Sequence, residues 1–244
     1  MTVGPAREGT PAKKQKPQRT HRGRTLDERR AERRSALLDA GLELFGTKGY
    51  SATSIGELCR VSFVATRYFY EEYGDRESLL LELYETLIEQ IRERVLGVSE
   101  PPGPDHEYLA ARARIAAFVH GAALDERVAR VLLLESGSPR LEARRLAAHR
   151  DFARYVAQFA LAYVDAGRIE PDDYELLALM FVGAVNEVIT HWVLSPPDER
   201  ADLDHVIDRL AEAYLAPIQA RAGRTCATAP AAEEATPPPG ATLH

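Results

Sequence analysis

From residue 25 onward the chain never sustains the two-residue alternation of a half-buried strand. Its apolar residues recur at three- and four-residue spacing instead. The expected fold is therefore all-α, helix packed on helix. The first helix begins near Leu26–Arg30, carries Leu37, Leu38, Gly41, Leu42, Leu44 and Phe45 as its stripe, and ends between Gly46 and Gly49. Ser54-Ile55-Gly56-Glu57 reads as a capping box that opens a second, brief helix ending near Val61. Ser62-Phe63-Val64 forms a turn, and a third helix follows from Ala65 to Glu72. Asp75 caps a fourth, from Arg76 to Leu96. Pro101-Pro102-Gly103-Pro104 is a linker. Further helical patterns lie at 105–124, 125–135, 139–166, 172–194 and 202–221. Residues 1–24 and the Ala-, Pro- and Thr-rich stretch from Ala222 have the composition of disordered segments.

The net charge of −6 conceals a polarity. Residues 1–34 hold eleven Lys and Arg against four Asp and Glu, a local +7, which leaves −13 for the rest. A basic end on an acidic body suits a polyanion met at one end, although a charge run alone is equally a solvated tail. Cys59 and Cys226 are far apart, so neither a disulfide nor a cysteine metal site is expected, and the default compartment is the cytoplasm. No signal peptide is evident, and no apolar run of spanning length is free of polar breaks, so no membrane partner is expected.

Two short helices joined by a tight turn, the second rich in Arg and Tyr, form a helix-turn-helix pattern. Ile55 and Leu58 of the first would brace Val64 and Phe69 of the second, leaving the second free for a major groove about 12 Å wide. Short helical turns without any DNA role have the same pattern.

The motifs themselves are more specific. Leu37-Leu38-Asp39-Ala40-Gly41-Leu42-Glu43-Leu44-Phe45, Lys48-Gly49-Tyr50 and Thr53-Ser54-Ile55-Gly56-Glu57-Leu58 are followed by Tyr68-Phe69-Tyr70-Glu71-Glu72-Tyr73-Gly74-Asp75-Arg76-Glu77-Ser78-Leu79-Leu80. Over residues 34–80 this resembles the N-terminal domain of the tetracycline-repressor (TetR/AcrR) family of transcriptional regulators. The resemblance implies a helix-turn-helix DNA-binding domain over 25–80, after a basic arm at 1–24. A helical ligand-binding and dimerisation domain follows over 81–221, and then a tail over 222–244. It implies that Tyr70 and Arg76 meet the DNA backbone, Arg76 helped by a helix N-terminus. Thr53 and Ser54 would lie close to a phosphate, and Thr66, Arg67 and Tyr68 would occupy the exposed front of the recognition helix. Arg22 and Arg24 of the arm would follow the minor groove or phosphates. Two positions depart from the family. Phe63 replaces the usual turn glycine, where a left-handed backbone costs a bulky residue about 1 kcal/mol or more. Ala65 replaces a serine cap, at a cost of about 0.5–2 kcal/mol unless Thr66 takes over. Glu71 and Glu72 are expected to point away from phosphates.

Leu176 to Val185 is apolar on every face of a helix and must be covered on all sides. In the family the last two long helices pair with their two-fold mates. Met180, Gly183, Ala184, Val206, Leu210 and Tyr214 are accordingly the expected homodimer interface, with burial inside one subunit as the alternative. Tyr84, Leu87, Ile91, Phe118, Tyr155, Phe159 and Phe181 either line a cavity for a small apolar or amphipathic ligand or fill it as core. His120, Glu187 and His191 are polar candidates for the same site. Glu187 and His191 share a helix face but lack a third ligand, so no metal and no cofactor is expected.

An enzyme is disfavoured. The chain has no Gly-rich phosphate loop or nucleophile motif, and His149-Arg150-Asp151 lacks the strands of a kinase catalytic loop. The expected function is a sequence-specific regulator, a repressor, that binds an inverted-repeat operator on double-stranded DNA as a dimer and is released by its ligand. The competing expectation is a helical adaptor or activator with the same fold but without ligand-released binding.

Overall fold

The computed structural model describes residues 25–99, 106–165, 167 and 169–227. The arm with Arg22 and Arg24, the linker at 101–104 and residues 228–244 lie outside them. The elements are α1 (Leu26–Lys48), α2 (Ile55–Ser62), α3 (Thr66–Glu72), α4 (Arg76–Leu96), α5 (His106–Ala123), α6 (Glu126–Ala129), α7 (Pro139–Asp165), α8 (Tyr174–Leu194) and α9 (Leu203–Ala227). A five-residue π turn, Arg130–Leu134, continues α6. The described residues contain no strand.

Helix starts follow the side chains available to satisfy their first N–H groups. Thr25 and Glu28 form a capping box on α1, Ser54 and Glu57 form the expected one on α2, and Asp75 accepts from Ser78 N–H at 2.6 Å on α4. Helix α3 lacks such a device: Ala65 is its N-cap without a side-chain bond, and Thr66 does not replace it.

Helices α1–α4 close around Leu37, Phe45, Leu58, Phe69, Leu79 and Leu80, all fully buried. This core continues into the rest of the chain through Ala122, Val131 and Leu141. Gly46 permits the closest approach: a Cβ there would stand 2.4 Å from Cβ of Arg127 on α6. Beyond α4, the principal pairings are α4 with α5, α5 with α9, and α7 with α8.

Three features bear on the sequence expectations. First, the stripe of α9 turns inward. Leu210 is only 6 % exposed and shares a core with Ile115, Val119 and Ile207, Val206 packs on the same core, and Tyr214 stacks on Phe181 at 5.0 Å. Leu210, buried in its own chain, is thereby withdrawn from a second copy, while Val206 and Tyr214 are half-buried. Second, its own chain covers α8 on one side only. It buries Tyr174, Ala178, Val182, Val185 and Ile189, but leaves Leu176, Leu179, Met180 (62 % exposed), Gly183, Ala184 and Val188 open. By length and composition alone α8 could cross a membrane, with a mean hydropathy of 1.6. Third, α9 does not stop at residue 221 but runs to Ala227.

Candidate functional site

The α2–α3 turn is left-handed at Phe63. Phe63 caps α2 in the left-handed region, φ 55° and ψ 26°, with its N–H donated to the Cys59 carbonyl. The turn closes with a phenylalanine in a conformation that suits glycine, and α3 begins at Thr66. Phe69 anchors α3 from below, while Thr66, Arg67 and Tyr70 are exposed, Tyr70 by 54 %. Tyr68 is half-buried, between the guanidinium groups of Arg33 at 4.3 Å and Arg67 at 4.4 Å from its ring centre. It therefore holds two cations in place. Glu72 is withdrawn from this surface by Arg30 at 2.8 Å, as expected, while Glu71 remains exposed.

Three expected phosphate contacts are engaged within the chain. Thr53 is 1 % exposed and donates its hydroxyl to the Gly49 carbonyl at 2.9 Å, so its side chain is sealed in the α1–α2 loop. A buried, satisfied hydroxyl cannot also meet a phosphate. Ser54 is exposed but its hydroxyl belongs to the cap of α2. Arg76 is half-buried. Its guanidinium lies 4.1 Å from the Tyr50 ring centre and donates to the Thr53 carbonyl, which ties the start of α4 to the loop before α2. Lys48 pairs with Glu57 at 2.5 Å and, with Ser54, draws the Glu57 carboxyl down to about 2, so this end of α2 stays ion-paired across the neutral range.

That same loop is held from the other side. Glu135, directly after the π turn, is buried and accepts the Tyr50 N–H at 2.8 Å. Gly49, at φ 87°, lets the loop pass close to this carboxylate. Arg145 of α7 donates to the carbonyls of Leu132 and Glu135 at 3.0 and 2.8 Å, so the turn is fixed to α7 as well. Ser138 and Arg140 at the start of α7 bind Glu77 of α4 at 2.6 and 3.3 Å. Sequence reading missed this clamp. A buried Glu and a π turn have no periodic signature, and Glu135 stood out only as a polar residue among apolar ones.

Two cavities lie between α4, α5, α7 and α8. The first, of about 120 Å³ and partly open to solvent, lies between α5, α7, α8 and α9. Phe159, Phe181, Val185 and Tyr214 line it, with Arg114 and Glu107 as its charged residues. The second, of about 380 Å³ and also partly open, lies against α4. Tyr84, Ile91, Leu132, Leu133, Arg144 and His149 line it. Phe118, Phe152, Tyr155, Val182 and Asn186 line both and form the wall between them. Neighbouring rings in that wall are 5.2 to 5.9 Å apart. His149 is held below the usual imidazole range by burial first and Arg145 second.

Among the expected ligand residues, Tyr84, Ile91, Phe118, Tyr155, Phe159 and Phe181 do line these cavities. Leu87 is buried in the core beside them. His120, Glu187 and His191 are exposed and line neither cavity. Glu187 and His191 do share a face, but it is the outward face of α8, because Val182, Val185 and Ile189 take the inward one. The described residues contain no group of three or more His, Cys, Asp or Glu placed to hold a metal ion.

The comparisons with known proteins agree with this division. Residues 37–83 match the family described as bacterial regulatory proteins, tetR family, and residues 109–214 match the tetracyclin repressor-like C-terminal domain. The HTH-type transcriptional regulator BetI of Rhizobium meliloti (strain 1021) is 25 % identical over 151 residues, covering 54 % of this chain and 74 % of BetI. Among solved structures, the regulator FadR from Bacillus subtilis in complex with stearoyl-CoA superposes with a TM-score of 0.61 at 20 % identity, over 74 % of this chain and 96 % of that one. AibR in complex with isovaleryl coenzyme A and operator DNA superposes with a TM-score of 0.54 at 20 % identity, over 74 % and 96 %. With a tetR-type reading head and a repressor-like body matched in succession, the chain belongs to the TetR family of transcriptional regulators.

Proposed function

We propose that this regulator is a repressor that binds an inverted-repeat operator as a homodimer and is released by an apolar or amphipathic small molecule. The observation that carries the ligand control is the Glu135 clamp. Leu132 and Leu133 of the π turn line the second cavity, and the next residue but one, Glu135, holds the loop that also receives Arg76. A ligand that displaces the turn therefore has a direct mechanical connection to the start of α2 and of α4. Helix α4 adds a second connection, since Tyr84 and Ile91 line the cavity while Leu79 and Leu80 sit in the core of the head.

Thr66, Arg67 and Tyr70 are the side chains assigned to DNA. Arg67 is assigned to bases, Tyr70 to the backbone, and the arm with Arg22 and Arg24 to added, sequence-tolerant affinity. Arg76 is assigned to the loop first, with its remaining donors available to a phosphate. The open strip of Leu176, Leu179, Met180, Gly183, Ala184 and Val188 is assigned to the second copy, where the small residues allow two α8 helices to approach closely. A two-fold pair would present two recognition helices to the two halves of an inverted repeat. Such a regulator works in the cytoplasm, where its operator is.

Since FadR and AibR were solved with acyl-CoA molecules, a series of acyl-CoAs of increasing chain length is the natural first ligand probe. The test is selection of bound genomic DNA by the intact protein, followed by titration of the series into the complex. Recovery of a shared inverted repeat, and its release by one chain-length class, is the expected result. Recovery of random fragments at physiological salt would contradict the DNA reading. A stable operator complex that no member of the series disturbs would contradict this ligand class.

A further inference from the structure

Phe63 is the one non-glycine residue with a positive φ among the described residues. The α2–α3 turn requires that conformation, because the chain must leave α2 and re-enter α3 within three residues. The N–H groups of Phe63 and Val64 both return to the Cys59 carbonyl. A glycine meets this requirement without steric cost, whereas a phenylalanine does not. The side chain gains nothing from its own chain in return. Val64 and Phe69 fill the core beneath the turn, yet the Phe63 ring is 96 % exposed. A strained backbone and an unburied ring are two separate costs at one residue, the kind of outlier from which a functional role is reasonably inferred.

The surroundings narrow the occupant. Arg60 precedes the ring on the exposed end of α2, and Ala65, Thr66 and Arg67 follow it, all exposed. A single aromatic ring offers about 150–250 Å² of contact, against about 800 Å² per partner in a stable protein interface, and its neighbours are mainly polar or cationic. A polyanion with small apolar features fits better than a protein. In the major groove that feature is the C5-methyl group of thymine, which distinguishes T·A from the other pairs.

We propose that Phe63 is a DNA-contacting residue that packs on a thymine methyl in each half-site, beside the base pairs approached by Thr66 and Arg67. This rests on the DNA-binding reading above and adds to it a specificity determinant at a position where the family ordinarily has no side chain.

The experiment uses the intact protein, the variants Phe63→Gly and Phe63→Asn, and duplexes selected from a random-sequence pool by the unaltered protein. Both variants tolerate the left-handed backbone, so both should fold, and Phe63→Gly should melt about 2–4 °C higher as the strain is released. Affinity for the selected duplex should nevertheless fall about tenfold, the size of one good base-pair contact. The log–log salt slope should not change, because the ring neutralises no phosphate. Replacing one specific thymine per half-site by deoxyuridine, which lacks only the methyl, should weaken the unaltered protein and leave both variants indifferent. If the variants bind the selected duplex undiminished, or still discriminate thymine from deoxyuridine, the contact does not exist. A lowered melting temperature with a changed salt slope would mean that the ring supports the fold instead. Loss of self-association with DNA affinity intact would assign the ring to a second copy and overturn the proposal. If the unaltered protein selects no duplex at all, the DNA-binding reading falls, and this contact with it.

Discussion

In α1–α4 the large apolar side chains are sealed: Phe45, Leu58, Phe69 and Leu79 have no exposed surface. In α5–α9 the comparable aromatics, Phe118, Phe152, Tyr155 and Phe159, are half-buried around open space. The two regions use the same helical periodicity for opposite ends. Close packing fixes the geometry of a reading surface, since a dense core transmits displacement instead of absorbing it. A hollow leaves room for a ligand and for the small shifts its binding requires. Helix α4 belongs to both regions, and the Glu135 clamp joins them at a second point, so a change in the hollow region has two routes into the sealed one.

Breaking the pair of heads should have the largest effect. Ala184→Arg on the open face of α8 would bury an unpaired charge between two copies, at a cost of several kcal/mol. Light scattering should report a monomer, and operator affinity should drop at least a hundredfold. Leu210→Arg, in contrast, should unfold the hollow region itself, because Leu210 lies in the core of its own chain.

The clamp comes next. Glu135→Ala leaves the Tyr50 N–H without its partner, a loss of about 1–3 kcal/mol. Thermal melting should show a destabilised fold, and the effect of ligand on DNA affinity should shrink even where ligand still binds. Filling the hollow tests the opposite region: Ala148→Phe, at the wall of the second cavity, should abolish ligand binding while leaving operator affinity within about twofold. Unaltered ligand affinity in that variant would move the site to the first cavity.

On the reading surface, Tyr70→Ala should weaken binding to every duplex by about 1 kcal/mol, as loss of a neutral backbone contact does. Arg67→Ala should also relax preference at one position, and parallel selections with the two variants would reveal the difference.

The smallest effect is one of pH. His149 is kept neutral by burial and by Arg145, so its folded pKa lies below its unfolded value near 6.5. The associated stability is complete above that unfolded value and is lost as pH falls through the lower folded one. His149→Gln should therefore flatten the acid side of the melting-temperature profile just below pH 6.5 without altering the neutral plateau.

What was legible in the sequence follows the same division. The Ser54–Glu57 capping box, the starts of α2 and α4 and the buried Phe69 of α3 could all be read, because each depends on residues a few positions apart. The inward turn of α9 could not, since a stripe that faces α5 and one that faces a second copy have the same spacing. The same ambiguity misplaced Glu187 and His191, whose shared face was clear but whose direction was not. The burial of Thr53 and the Glu135–Tyr50 bond depend on groups 4 and 85 residues apart. Of these, only the local Thr53–Gly49 bond lay within reach of a pattern, and no pattern requires it. The strain at Phe63 was anticipated from its position, and the backbone there is left-handed, with φ 55°, above the buried Val64 and Phe69.

The central claim is that the hollow region and the reading surface share one equilibrium. It is tested most directly by calorimetric titration of a bound acyl-CoA into the protein alone and into its operator complex. Coupling requires that DNA weaken ligand binding by the same factor by which ligand weakens DNA binding, and a typical factor is about 5–150-fold. The prediction is a weaker ligand affinity in the complex, with the reciprocal DNA titration giving the same ratio and Glu135→Ala bringing that ratio toward one. Equal ligand affinities with and without operator would contradict the account, however well the ligand fits its cavity.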